Sequence, residues 1–291
     1  MVVTCTDRKV AAPQEALRVR SLPADDLAAR AAAWVTRLAA SKERFPLERL
    51  YQGDHWTRAV GLSAVAERAG FAPRLWVASA GLGLRPVSDS APSYGATFSP
   101  RHADTVAATS AGTRQWWAHL QASVGATTLC NLGAAGPVIM VLSEVYSNGL
   151  AAEVKSLAAL GGEVLLVGGA EDLPGVHRLP ANAALRKPLG GTLTSLNART
   201  AAAWLGHCTK GELLSVETQR LWEKWTQSAA QPERFSRTPL SDEQVVNFIT
   251  TQHNLTPEYS RTKMHRLLRD GGMACEQKRF AQLHAQTLGD R

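Results

Sequence analysis

The sequence predicts an α/β protein: a three-layer domain with a mostly parallel central sheet, followed by a small C-terminal helical domain of helix-turn-helix type. Three observations predict it. Residues 137–142 (PVIMVL) and 163–167 (EVLLV) are apolar without alternation, the pattern of strands buried on both faces of a parallel sheet. A helical stretch over about 146–160 lies between them, and strand, helix, strand in that order is a right-handed crossover unit. Beyond residue 237 the pattern changes to short helices only.

The elements follow in order. Residues 2–5 form a short strand that runs into a polar, basic turn. Leu27, Ala31, Trp34, Val35 and Leu38 recur at helical spacing within an amphipathic helix over 24–41. Asp54 reads as the N-cap of a helix over 55–69, which Gly70 closes. An apolar strand over 74–79 leads into a Gly-rich turn and a polar loop. Pro100 and Asp104 open a helix carrying Trp116 and Trp117. Residues 197–228 read as one or two helices, and 231–238 as the linker. The expected domains are 1–205 (α/β), 206–236 (helical connector) and 237–291 (helical module).

With 291 residues, 45% of them hydrophobic, the chain can hold one sizeable core and a small appendage. No apolar run reaches the roughly 18 residues of a membrane span, so no membrane partner and a cytoplasmic location are expected. The four cysteines are scattered with no C-x-x-C pair, which predicts free thiols and no zinc site. Neither G-x-G-x-x-G nor a Walker loop occurs, and the zinc deaminase signature is absent, so neither cofactor nor metal is expected. The net charge of +7 suits a nucleic-acid partner.

The chemistry concentrates between residues 50 and 100. Small residues directly after a β-strand let backbone approach a ligand, and α/β sheets bind ligands beyond the carboxyl ends of their strands. That places a pocket at the turn of Ser79, Ala80, Gly81 and Leu84 and at the loop carrying Tyr94. Cleaving an N-glycosidic bond requires a carboxylate that stabilises a sugar cation or activates water. Asp54, at a helix start, is the first candidate; the alternative is a plain cap. Glu144, just past the strand at 137–142, is a second acid or an exposed loop residue. His55 and Trp56 sit beside Asp54 in the first helical turn, and Trp56, Trp76, Trp116 and Trp117 could line a base pocket, though tryptophans are mostly core and Trp76, inside the strand, reads as core. Arg8 and Lys9, after the first strand, are a phosphate grip or a surface pair. Cys5 has no histidine near it in sequence and reads as core rather than nucleophile.

These segments also carry a resemblance. Ser79-Ala80-Gly81-Leu82-Gly83-Leu84, then Pro92-Ser93-Tyr94 and Thr97, resembles the S-A-K-x-G-L…P-Y-x-x-T pattern of YaaA-like proteins. Cys5-Thr6-Asp7-Arg8-Lys9 is similar to their Cys-Thr-x-x-Lys turn, and Leu50-Tyr51 through Trp56 to their L-Y-x-x-x-x-aromatic segment. The resemblance covers roughly residues 1–105. Two departures stand out: Gly81 replaces the usual Lys, and Ser93 separates Pro92 from Tyr94. The resemblance implies a distant relationship to the uracil-DNA glycosylase fold and the archaeosine synthase core, a lineage that handles nucleobases. It adds Cys5 and Thr6 to the substrate site and raises Ser79 and Tyr94 as contacts to a flipped base. Some members of that lineage are DNA glycosylases of phage defence.

The C-terminal segment from Thr256 to Phe280 has six Lys or Arg against two acidic residues between Arg261 and Arg279. Ser260, Arg261, Thr262, Lys263 and Arg266, in or just before its second helix, are expected to contact DNA phosphates. The expected function is therefore a metal-independent DNA glycosylase. Its substrate would be a modified base such as glucosylated hydroxymethylcytosine in phage duplex DNA, and a monomer is favoured. The alternatives are a base-exchange enzyme of 7-deazaguanine type and a DNA-binding regulatory or stress protein without catalysis.

Overall fold

The computed structural model describes residues 1–125, 127–180, 182–230 and 237–289. The chain divides into two units, Met1–Pro232 and Glu233–Arg291. In the first, six strands form one sheet: β1 (Val2–Thr4), β2 (Trp76–Ser79), β3 (Gly83–Pro86), β4 (Val138–Leu142), β5 (Val164–Gly168) and β6 (His177–Leu179). Their spatial order is β3-β2-β1-β4-β5-β6. All neighbours are parallel except β2 and β3, which form an antiparallel hairpin. Every residue of β4 and β5 is buried, as their unbroken apolar runs require.

Two groups of helices flank the sheet in a three-layer arrangement. α1 (Leu27–Ala40) packs on α3 (Ser110–Val124), which also meets α4 (Glu144–Gly149). α2 (Asp54–Arg68) packs on α6 (Leu196–His207), and α6 meets α7 (Val216–Ala229). α5 (Ala151–Ala158) completes the crossover between β4 and β5. Trp204 and Trp222 are buried with the rest of this core, so the described residues 206–230, expected as a separate connector, pack within the first unit. The expected linker at 231–238 lies outside the described residues except for its last two positions.

Local chemistry sets the boundaries. α1 begins where the Asp26 carboxylate accepts the Ala29 N–H at 2.8 Å, and α3 where Thr109 Oγ1 accepts the Gly112 N–H at 3.1 Å. The latter corrects the expected start near Pro100: Asp104 does not open a helix. Its backbone joins a turn in which Thr97 N–H donates to Asp104 O and Val106 N–H to Thr97 O. Asp54 is likewise not the N-cap but the first residue of α2, with Gly53 (φ 102°) before it.

The tryptophans have a common task. Trp116 Nε1 donates to Ala80 O at 2.8 Å and Trp34 Nε1 to Gly81 O at 2.7 Å. The two indoles clamp the turn after β2. Trp56 Nε1 donates to Glu48 O and Trp117 Nε1 to Glu153 Oε1. A buried indole N–H left unpaired would be costly, and these four large side chains tie separate segments together. Trp76 borders a cavity of about 180 Å³ at the amino ends of the strands, beside Phe71, Arg74 and Ile139.

The second unit contains α8 (Asp242–Leu255), α9 (Arg261–Asp270) and α10 (Gln277–Leu288) around Val245, Ile249, Met264, Leu268, Phe280 and Leu283. Two-residue strands at Thr238–Pro239 and Met273–Ala274 pair in parallel. In α9, Met264 and Leu268 face inward, leaving Arg261, Thr262, Lys263, Arg266 and Arg269 exposed. Ser260 Oγ caps this helix by accepting the Lys263 N–H at 3.3 Å. Among the described residues, no helix is long and apolar enough to cross a membrane.

Candidate active site at the carboxyl ends of the central strands

The strand order reverses direction of growth between β1 and β4, and in open α/β sheets such a switch point opens a crevice beyond the strands' carboxyl ends. Register shows what the chain puts there. Thr4 pairs with Ala78, and Val3 with Val141. The same offsets set Cys5 beside Ser79 on one side and beside Ser143, one residue before Glu144, on the other.

Beneath this point lies a buried set of phenols. Ser79 Oγ accepts the N–H groups of Gly81 and Leu82, each at 3.1 Å. With both lone pairs occupied, its own proton donates to Tyr94 OH, 2.5 Å away. Tyr94 OH in turn lies 2.6 Å from Tyr51 OH. Tyr146 OH, on α4, is 3.1 Å from Cys5 Sγ. Burial pushes all three phenols well above their ordinary pKa, so they remain protonated donors.

Half-buried groups line the rim. Lys9 is pinned at its backbone: Val10 N–H donates to Leu50 O and Gln52 N–H to Arg8 O. Its Nζ lies 4.4 Å from the Tyr94 ring centroid and 5.7 Å from that of Tyr51. Thr6 Oγ1 donates to the carbonyls of Arg8 and Gln52, closing the turn. His55 Nε2 sits 3.2 Å from Thr4 Oγ1 and 3.1 Å from Thr4 O. Burial lowers the pKa of His55 below its ordinary value.

Asp54 faces an unexpected partner. Arg199 Nη2 donates to both its oxygens, at 3.1 and 3.3 Å, and Thr192 Oγ1 lies 3.4 Å away. The Ser195 hydroxyl and the Arg199 guanidinium hold the Asp54 carboxyl down to about 2. Arg199 Nε also donates to Ser195 Oγ and Nη1 to Leu189 O. The guanidinium lies where a Cβ on Gly191 (φ 78°) would collide with it. Asp54 therefore anchors the start of α2 to the loop before α6. Glu144 is exposed in the first turn of α4.

The site residues expected from sequence thus separate into two sets. Cys5, Thr6, Lys9, Asp54, His55, Ser79, Tyr94 and Glu144 do gather at the ends of β1, β2 and β4. Ser79 and Tyr94 are fully buried, which corrects their expected role: they support the site from beneath instead of meeting a base directly. Ala80, Gly81, Leu84 and Trp56 are corrected likewise. Trp56 stacks on Tyr51 with ring centroids 4.7 Å apart. Leu84 belongs to β3, where its N–H donates to Gln121 Oε1. Gly81 is packed so closely that a Cβ would strike the Tyr94 ring, which accounts for Gly where the resembling pattern has Lys. Trp116 and Trp117 are core residues too. Arg8 is exposed beside the rim, whereas the Lys9 ammonium turns inward over the rings. Sequence reasoning missed Arg199, Ser195 and Tyr146 as neighbours; Gly190-Gly191 was the one local sign that something bulky packs nearby.

Compared with known proteins, the chain matches no family model, and no curated protein or solved structure is detectably similar to it.

The histidines make stability pH-dependent. Burial lowers the folded-state pKa of His55, His177 and His207 below the ordinary 6.5. Below pH 6.5 the unfolded chain then binds more protons than the folded one, so stability is lost as pH falls through that value. The buried amino group of Met1, held down to about 6 from its ordinary 8.0, acts in the same direction at higher pH, so the urea midpoint should decline from pH 8 to 5.5. A midpoint unchanged at pH 5.5 would contradict this.

Proposed function

We propose that the first unit is a metal-independent N-glycosylase acting on a modified base in DNA, and that the second unit supplies DNA affinity. The observation that carries the reading is the convergence of Cys5, Thr6, Lys9, His55 and Glu144 on the switch point, above protonated phenols. The YaaA-like resemblance of residues 5–9, 50–56 and 79–97 supports it, and so does the exposed basic face of α9. In this reading Glu144 is the carboxylate that meets the sugar cation or directs water. Asp54, held by Arg199, is a positioning residue. Arg8 and the α9 side chains bind phosphates. Antiviral defence against hypermodified phage DNA is the biological setting the resemblance suggests.

The test is an abasic-site assay. Purified protein is incubated, without metal or nucleotide, with unmodified, hydroxymethylated or glucosylated phage DNA, then with an abasic-site endonuclease. Strand breaks confined to one modified DNA, with the freed base detected by mass spectrometry, are expected. Intact DNA in every lane alongside a persistent gel shift would replace this reading with binding alone. Uptake of a labelled free base would indicate exchange.

A further inference from the structure

Lys9 stands out among the groups at the rim. Its ammonium accompanies no carboxylate in an ion pair among the described residues; its hydrogen bonds go to two backbone carbonyls, Thr6 O at 3.3 Å and Asp7 O at 3.2 Å. The nearest buried acid, Asp104, already binds Arg18 at 3.1 Å. The Lys9 backbone forms a bridge with Tyr51, and its Nζ is aimed over the Tyr94 and Tyr51 rings. A half-buried amine without a counter-carboxylate is poorly placed for stability, because desolvation disfavours its charge. Burial indeed lowers its pKa. The same surroundings suit a lysine that acts as a nucleophile on carbonyl carbon.

We infer that Lys9 Nζ forms an imine with C1′ of an abasic deoxyribose, holding the sugar at the switch point after the base has left. The neutral amine attacks the aldehyde carbon of the ring-opened sugar, and the carbinolamine oxygen departs as water as the C=N bond forms. No oxidant or reductant takes part. The carbinolamine's own N–H proton leaves with that oxygen, so the step needs no outside acid; Cys5 Sγ and Tyr146 OH, 3.1 Å apart at the switch point, are hydrogen-bond donors there. The inference rests on the reading of this site as one for DNA sugars, but it does not require that base release be observed.

The experiment therefore uses ready-made abasic duplex oligonucleotide with sodium cyanoborohydride. The reagent delivers hydride to the imine carbon and fixes the link as a secondary amine. A covalent protein–DNA band is expected, with the modified peptide containing Lys9. The band should be lost in Lys9→Arg and in Lys9→Met, which keeps the length of the side chain, with circular dichroism unchanged. Peptide mapping on the unsubstituted chain decides the matter if both variants fold poorly. Absence of a band, or a link mapped to another lysine or to the amino terminus, would overturn the inference. Base release without a band would leave the glycosylase reading intact and remove this one. A band at Lys9 with no base release from any DNA would do the reverse.

Discussion

Replacing Asp104 by Asn is expected to destabilise the first unit by about 3 kcal/mol. Asp104 is 1% exposed, and its Oδ2 accepts from Arg18 Nη1 at 3.1 Å. Arg20 Nε lies 3.8 Å from Oδ1 on the other side. The carboxylate is also packed against the backbone at Gly95, where a Cβ would run into it. Removing its charge leaves Arg18 facing an amide in a half-buried setting, and breaking a buried pair typically costs about 3–5 kcal/mol. The lower end applies because the Arg18 side chain keeps 25% exposure and can recruit water. Arg20→Ala provides the contrast. That side chain is 42% exposed and its closer partner is Glu15, itself 63% exposed, so a much smaller midpoint shift than for Asp104→Asn is expected. Chemical denaturation of both variants checks the pair. Equal midpoint shifts would mean that the burial of Asp104 does not govern the energetics.

This ion pair also illustrates what the sequence could not disclose. The central strands were legible because burial on both faces abolishes alternation, so PVIMVL and EVLLV announce themselves locally. The C-terminal helices were legible from their caps and breakers, such as Ser260 and Gly271-Gly272. β3 was not: Gly83, Arg85 and Pro86 make a poor strand pattern, and the hairpin exists because β2 offers an edge to it. The turn after β2 reads as open from its small residues. Two indoles from α1 and α3, distant in sequence, close it. The site divides in the same way. Ser79 and Glu144 could be placed from strand ends alone, and Cys5 and Thr6 only through the resemblance. Arg199 could not, because it reaches Asp54 across 145 residues, and no periodicity or short motif reports a contact of that range.

In the proposed glycosylase, that contact distinguishes the two carboxylates, and the rate of base release should register the difference. Glu144→Gln is expected to slow release by roughly 10³-fold, about 4 kcal/mol of barrier, with the fold and DNA affinity unchanged. Glu144 is exposed in the first turn of α4, at the end of the strand that forms one wall of the switch point, so its carboxylate is available to a cation or a water. Asp54 has both oxygens engaged by Arg199 and an opposing charge beside it, with Arg58 Nε a further 3.6 Å contact. A carboxylate neutralised in this way contributes little to a developing positive charge. Its loss should act by loosening the loop before α6, so Asp54→Asn is expected to weaken substrate binding more than the chemical step. Single-turnover kinetics at saturating enzyme separates the two effects. If Asp54→Asn abolished the chemical step while Glu144→Gln left it intact, the roles assigned here would be exchanged. The Asp54–Arg199 pair would then have to open when DNA binds.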